Sequence, residues 1–250
     1  MPQRNGWDFG QEDGYLDGAR LTQVVTSPSE RALFKHEAYP PRSHAAVTFL
    51  LDCSGSMKVH SDKLSVMMEL FVKALERIGV QTEVLGFSTG SWNGGRPLKQ
   101  WRAQGKPEHP GRLCENLQLV FKDVDTGFRK ARHTIPALLK QDLYREGVDG
   151  EAVDWACQRL LKQDIERRLL IVVSDGCPMD AATNHANDEF YLDNHLQQVV
   201  GRYEQQGQVE IYGLGVGMDL SPYYRRHLPV DLEQGVDNRM MADIVGLWRR

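Results

Sequence analysis

From about residue 45 onward, hydrophobic residues occur in two patterns that alternate along the chain. One is a short, nearly continuous apolar run, which is typical of a strand buried on both faces of a sheet. The other repeats every three or four residues, as on an amphipathic helix. The runs predict strands at 45–52, 82–87, 117–123, 168–176, 209–217 and 228–231. The repeats predict helices at about 64–78, 126–143, 149–162, 188–205, 222–227 and 238–248.

Residues 1–44 show neither pattern and are rich in Gly, Asp, Pro and Arg. We interpret them as an N-terminal extension that packs on the main domain or leads into it, with a short helix near 17–25. The consecutive prolines at 40 and 41 predict a boundary within 39–44, because proline breaks regular structure. Residues 45–250 then predict one α/β domain, with a mainly parallel sheet covered by helices on both faces. A stretch rich in Gly and Pro predicts an irregular excursion over about 88–116.

Composition narrows the classes of partner. The net charge is −4 and the basic residues form no dense stripe, so we expect no binding to nucleic acid. The apolar runs are far shorter than a membrane span, and the N-terminus has no apolar signal-peptide core. The four cysteines are widely spaced without a CxxC pair, which favours a reducing compartment over a disulfide framework. We therefore expect a cytoplasmic protein that makes no membrane contact.

Two of the predicted strands end in oxygen-bearing side chains. Asp52, Ser54 and Ser56 follow the strand at 45–52, and Asp175 follows the strand at 168–176. Parallel strands bring their carboxyl ends to the same edge of the sheet, where ligands bind in open α/β folds. Carboxylate and hydroxyl oxygens suit Mg²⁺, Mn²⁺ or Ca²⁺. This pattern favours a divalent-cation site.

Other interpretations of the same residues remain open at this point. The tripeptide "SGS" is also typical of a turn in which Ser56 starts the following helix. A phosphatase with an aspartyl nucleophile usually needs a second acid two residues later, where this chain has Ser54. No GxSxG motif occurs, and neither Cys53 nor Cys177 has a histidine at suggestive spacing. In the excursion, Trp92 and Trp101 either serve a partner interface or pin the loop to its own domain.

The segments "DCSGS" and "VVSDG" resemble the first loop and the distal-aspartate strand of the metal-ion-dependent adhesion site in von Willebrand factor A domains. Further segments extend the resemblance to the T subunit of aerobic cobaltochelatase over nearly the whole chain. These segments are "EVLGFSTGSWNGG", "GKPEHPGRL", "EGVDGEAVDWACQRLL", "RRLLIVVSDGCPMD", "YLDNHLQQVV", "YYRRH" and the N-terminal "WDFGQEDGYLDGARLTQVV". The resemblance implies a Rossmann-like von Willebrand A fold.

The resemblance also implies a ligand set. Asp52, Ser54, Ser56 and Asp175 match the motif residues, and the implied cation is Mg²⁺ first, with Mn²⁺ or Ca²⁺ as alternatives. The usual third element of such a site is a threonine, which is lacking in the corresponding loop, "REGVDGEAV". Asp149 is the natural oxygen donor in that loop, and Glu151 is the second choice.

The function implied by the resemblance is that of a non-catalytic, metal-dependent interaction subunit. Its partner would be an AAA+ ATPase, acting with a large chelatase subunit that inserts cobalt into a corrin ring during cobalamin biosynthesis. ATP would be bound by the partner, because this chain has no GxxxxGK[ST] motif. One alternative is an adapter for an AAA+ ATPase with another client. A stand-alone metal-dependent hydrolase is the other, although no nucleophile with a paired general base stands out.

Overall fold

A computed structural model describes residues 6–11, 13–20, 22, 26, 33–37, 44–233 and 235–248 of the chain. The chain divides into two compact units, Met1–Arg42 and Ser43–Arg250. The proline pair that predicts a boundary lies outside the described residues.

The described part of the N-terminal unit is a small antiparallel sheet. Its strands are β1 (Trp7–Gln11), β2 (Tyr15–Leu16) and β3 (Phe34–Glu37), with β3 in the centre. The edge of one ring in the Trp7–Tyr15 pair meets the face of the other, with centroids 5.5 Å apart. These strands were not predicted, because strands of two to five residues are too short to show alternation. Of the helix expected near 17–25, the described residues show a 3₁₀ turn at Gly18–Arg20 and helical backbone at Thr22, whereas 21 and 23–25 lie outside them.

The larger unit is built on a sheet whose described strands run in the order β6-β5-β4-β7-β8-β9. All neighbouring pairs are parallel except β5 and β6, which are antiparallel. The mainly parallel α/β architecture is thus confirmed, with strand ends that shift by one or two residues from the prediction. The strands are β4 (Ala45–Asp52), β5 (Gln81–Thr89), β6 (Asn116–Lys122), β7 (Arg167–Ser174), β8 (Glu210–Val216) and β9 (His227–Val230).

Helices cover both faces of this sheet. On one face Phe49 of β4 packs in a core with Phe71 of α1 (Ser61–Arg77) and Ile244 of α7 (Asn238–Trp248). On the other face Leu50, the next residue along β4, packs with residues of α4 (Asp149–Leu161) and α6 (Tyr191–Gln206). The described helices are α1 (Ser61–Arg77), α2 (Arg96–Ala103), α3 (Phe128–Ala131), α4 (Asp149–Leu161), α5 (Ala181–Ala186), α6 (Tyr191–Gln206) and α7 (Asn238–Trp248). Within the described ranges, every helix is too short or too polar to cross a bilayer.

Four helix predictions need correction. The excursion contains α2, which tolerates Pro97 because its missing N–H falls in the unpaired first turn. The helix predicted over 126–143 is interrupted, and 3₁₀ segments at Ile135–Leu139 and Gln141–Leu143 follow α3, since Pro136 cannot continue an α-helix. Residues 222–227 form turns and the start of β9 rather than a helix. Helix α5 was not predicted, although Asp180 caps it by accepting a hydrogen bond from the Thr183 amide.

Candidate metal centre

The site begins at the last residue of β4. The Asp52 carboxylate accepts a hydrogen bond of 2.7 Å from the Ser54 amide and one of 2.8 Å from the hydroxyl of Ser174, the last residue of β7. Each carboxylate oxygen thus has one donor that fixes its direction. Ser174 was not singled out as a site residue by the sequence, although it lies within the "VVSDG" motif.

A chain of short contacts joins this loop to the next strand end. The Oγ atoms of Ser54 and Ser56 lie 3.2 Å apart, and Ser56 Oγ donates to Asp175 Oδ1 at 2.9 Å. The two hydroxyls and the distal carboxylate therefore converge, as the sequence predicted from the adjacent strand ends. Ser56 is also the first residue of a 3₁₀ turn, Ser56–His60, that leads directly into α1.

The loop after β4 is held by a segment from elsewhere in the chain. Gly55 N donates to Arg145 O at 2.6 Å, and Arg145 N donates to Cys53 O at 3.0 Å. The Ser88 hydroxyl at the end of β5 also donates to Cys53 O. This pairing places the segment that leads to α4 directly beside the loop after β4.

Of the two candidates in that segment, Asp149 lies in the site. It is 3% exposed and lines the same cavity as Asp52 and Asp175. A Cβ atom added at Gly147 would lie 3.4 Å from Asp149 Oδ2 and 3.6 Å from Asp52 Oδ1, so both carboxylates face this glycine. Glu151 accepts instead from Arg112 Nε at 2.6 Å and from Asn116 Nδ2 at 2.7 Å, away from the cavity lining.

Burial makes this cluster electrostatically unfavourable on its own. It raises the pKa of Asp52 to about 6, with the nearby charge of Asp175 adding to the rise and the Ser174 hydrogen bond opposing it. Burial also raises the pKa of Asp149 well above its usual value, and the charge of Asp52 raises it further. A cation placed among these groups would favour their ionised forms and relieve the repulsion.

The donor set fits a hard divalent cation, through carboxylate and hydroxyl oxygens together. Within the described ranges, no three His, Cys, Asp or Glu side chains form a metal-binding group by themselves. A cation at this position would therefore draw on the hydroxyls of Ser54 and Ser56 as well as on the acids. Magnesium suits such a site because it commonly takes one or two carboxylates and completes its shell with water.

The cavity around these residues has a volume of about 800 Å³. Apart from the candidate ligands, its lining includes acidic, basic, polar and apolar side chains: Lys58, Trp92, Gln141, Asp142, Tyr144, Arg145, Glu146, Cys177 and Met179. Cys53 lies beneath the site rather than in it, and burial raises the pKa of its thiol, which makes it a poor nucleophile.

Comparison with known proteins identifies a matching family. The family model described as the VWA domain of the cobalamin biosynthesis protein CobT matches residues 33–238. Among curated proteins, the uncharacterized protein YojO of Bacillus subtilis (strain 168) is 24% identical over 161 residues, which are 64% of this chain and 22% of YojO. The chain thus spans about a fifth of the length of that relative.

Among solved structures, the pilus adhesin SpaC from Lactobacillus rhamnosus GG is similar in fold. The superposition on its open conformation has a TM-score of 0.56 at 10% identity and covers 83% of this chain and 30% of SpaC. Another crystal form of SpaC has a TM-score of 0.55 over 83% of this chain and 31% of SpaC. At 10% identity this likeness shows the fold alone.

Proposed function

The chain belongs to the family of CobT von Willebrand factor A (VWA) domains, and from that membership we propose that it is a non-catalytic subunit that docks to an AAA+ ATPase through a bound divalent cation. The client step would be ATP-dependent insertion of cobalt into a corrin ring, which the family's description as a cobalamin biosynthesis protein supports. A large chelatase subunit would carry out the insertion, and the ATPase partner would bind ATP. Such an assembly would work in the cytoplasm.

The observation that carries this proposal is the convergence of hydroxyl and carboxylate oxygens at one edge of the sheet. Ser54, Ser56 and Asp175 are already linked by contacts of 3.2 and 2.9 Å. Asp52 and Asp149 are buried in the wall of the same cavity. These five residues would hold the cation, and a carboxylate of the partner would coordinate it.

The chain's own residues make docking depend on the cation. The carboxylates of Asp52, Asp149 and Asp175 would repel an acidic partner when no cation is present. The Ser54 amide and the Ser174 hydroxyl hold Asp52 in one orientation, so little reorganisation is needed to bind the cation. With three carboxylates against two positive charges, however, the cation alone leaves the site without net positive charge.

The side chains around the cavity favour docking over catalysis. Within the described part of the chain, the cavity lining contains no histidine, and its hydroxyl–carboxylate pair, Ser56 with Asp175, belongs to the candidate ligand set. The Ser54 and Ser56 hydroxyls contact each other, and Ser56 donates to a carboxylate within the candidate ligand set. An enzyme that forms a covalent intermediate needs an activated nucleophile, and this set of contacts does not supply one.

The test is capture of a purified AAA+ ATPase of the chelatase type by this chain, in Mg²⁺ and in EDTA. We expect capture in Mg²⁺ only, and its loss in Asp52→Ala. Glu151→Gln is the matched control, because Glu151 is an acid in the first turn of α4, two residues after Asp149, and lies outside the cavity lining. Capture that is indifferent to both the metal and Asp52→Ala would contradict the proposal. Phosphatase or esterase activity lost in Asp52→Ala would instead support a hydrolase.

A further inference from the structure

Two large apolar side chains flank the acidic cavity while remaining exposed to solvent. Trp92 is 56% exposed and Met179 is 55% exposed, and both line the cavity that contains Asp52 and Asp175. They come from separate segments, the excursion after β5 and the loop before α5. Covering such exposed apolar side chains with a bound molecule is favourable, because it removes apolar surface from water.

The indole of Trp92 covers the loop that follows β4. A Cβ atom added at Gly55 would lie 2.8 Å from Trp92 Cη2, so the ring lies directly against this glycine. The next residue, Asn93, donates its amide to Glu146 Oε2 at 2.7 Å, and Ser91 Oγ donates to Gly94 O. The tryptophan is therefore held in place by its neighbours in the chain as well as by contact with the loop.

Met179 is held by the segment that contains Glu146 and Gly147. Its amide donates to Gly147 O at 3.0 Å and its carbonyl accepts from Gly147 N at 2.9 Å. Two residues later, Ala181 N donates to Glu146 Oε1 at 3.0 Å. One buried carboxylate, Glu146, thus anchors the segments that carry both apolar side chains.

Two basic residues add positive charge to the same rim. Lys58 lies exposed in the 3₁₀ turn after Ser56 and lines the cavity. Arg145 also lines the cavity, and its guanidinium donates to the backbone carbonyls of Thr89 and Gly90, which are uncharged. Outside the candidate ligand set, the remaining charged residues of the lining, Asp142 and Glu146, are acidic and offset these two charges. An acid of the partner would therefore be held by coordination to the cation rather than by a net positive charge of the rim.

We propose that Trp92 and Met179 form a specificity-determining rim that binds the apolar side chain next to the partner's acidic residue. The occupant is a segment in which Asp or Glu adjoins Leu, Met or an aromatic residue, with the acid at the cation and the apolar side chain on the rim. This inference rests on the proposed function, since the acid needs the cation. Anchored tryptophans are the side chains that most often dominate such contacts.

A peptide-display selection against the whole chain tests the rim. A random library is panned in Mg²⁺ on the wild-type protein, on Trp92→Ala and on Met179→Ala, with each variant's fold checked by circular dichroism and melting. We expect the wild type to select peptides with an acid beside an apolar residue, and both variants to keep the acid but lose the apolar preference. Phe190→Ala is the matched control, because Phe190 is an aromatic with 62% exposure outside the cavity lining.

A double-mutant cycle then measures the contact itself. Fluorescence anisotropy compares the selected peptide with a version in which the apolar residue is replaced by Ala. The wild type should bind the selected peptide about tenfold more tightly, and Trp92→Ala should bind both equally. Gly55→Ala provides a second route, since its added methyl group would displace the indole while the backbone there is already helical.

The outcomes separate this inference from the proposed function. If the wild type selects acidic peptides in Mg²⁺ without any apolar preference, the proposed role of the rim is contradicted, whereas cation-mediated docking is supported. The rim is also wrong if Trp92→Ala, folded as the wild type, leaves the tenfold ratio unchanged. If the selected peptides carry no acid, or are bound equally in EDTA, the proposed function fails and the rim fails with it.

Discussion

The Ser56 hydroxyl donates a hydrogen bond of 2.9 Å to Asp175, a residue 119 positions further along the chain. This bond joins the loops that follow β4 and β7, which are neighbouring parallel strands. Together with the contact between Ser54 and Ser56, it brings candidate ligands from two loops into contact through the protein's own groups. The remaining acids, Asp52 and Asp149, are held in the buried wall of the cavity, where their charges oppose each other.

The metal-free protein should lose stability as the pH rises. The pKa of Asp52 is about 6 in the folded protein against an ordinary value of 3.8, so the folded state binds this proton more tightly than the unfolded state. The proton on Asp52 stabilises the folded state fully below about pH 4, and this contribution is lost as the pH passes 6. The loss expected from Asp52 alone is about 3 kcal/mol, and Asp149, whose pKa is also raised, adds to it. Urea unfolding in EDTA at pH 4 to 7.5 measures the sum.

Asp52→Asn is the control for this pH dependence. The neutral amide should remove that part of the slope, and at pH 7.5 in EDTA the variant should be more stable than the wild type. Saturating Mg²⁺ should stabilise the wild type more at pH 7.5 than at pH 5, because a bound cation favours the ionised carboxylates. A variant with the same slope as the wild type would show that Asp52 is not the group responsible.

Gly147→Ala should weaken cation binding with little effect on the fold. Its methyl group would lie 3.2 Å from the ring of Phe87 and within 3.6 Å of the carboxylates of Asp52 and Asp149. We expect Mg²⁺ affinity to fall about tenfold, as for other changes beside metal ligands. Gly176→Ala is the control, because Gly176 lines the same cavity but its added Cβ would meet nothing within 4 Å. Equal affinities in the two variants would contradict the placement of the carboxylates around Gly147.

Glu146→Gln should loosen the two segments that Glu146 joins. The carboxylate accepts from the amides of Asn93 and Ala181, whereas a glutamine has one acceptor oxygen and turns its NH₂ group towards the second amide. An unsatisfied buried donor costs about 1–3 kcal/mol, so local opening should become more frequent. Hydrogen exchange should accelerate at these two segments and remain unchanged in α1. Unchanged hydrogen exchange at residues 93 and 181 would contradict the anchoring role of Glu146.

The fold and the strand-end residues of the site could be predicted from the sequence because they depend on local signals. A strand such as β4 is apolar at nearly every position, since both of its faces are covered, and it ends at Asp52. Parallel topology then places Asp175 at the same edge. The choice between Asp149 and Glu151 needed the structure, because it depends on the partners Arg112 and Asn116, which bind Glu151.

Other features could not be predicted because they arise from contacts between distant segments. Nothing near Glu146 in sequence indicates that it accepts from Asn93, 53 residues earlier. The position of Trp92 depends on the absence of a side chain at Gly55, a packing relationship without a sequence pattern. Ser174 lies within a predicted strand, and only the distance of 2.8 Å from its hydroxyl to Asp52 reveals that it orients this carboxylate.

The most direct measurement is a calorimetric titration of Mg²⁺ into the wild-type chain, Asp52→Ala, Asp149→Ala and Glu151→Gln at pH 7.5. We predict one site in the wild type, no detectable binding in Asp52→Ala, and wild-type affinity in Glu151→Gln. In Asp149→Ala the Mg²⁺ affinity should fall by about tenfold or more. The prediction also includes proton release on binding, because the pKa values of Asp52 and Asp149 are raised. Equal Mg²⁺ affinity in the wild type and Asp52→Ala would contradict a cation site at the end of β4.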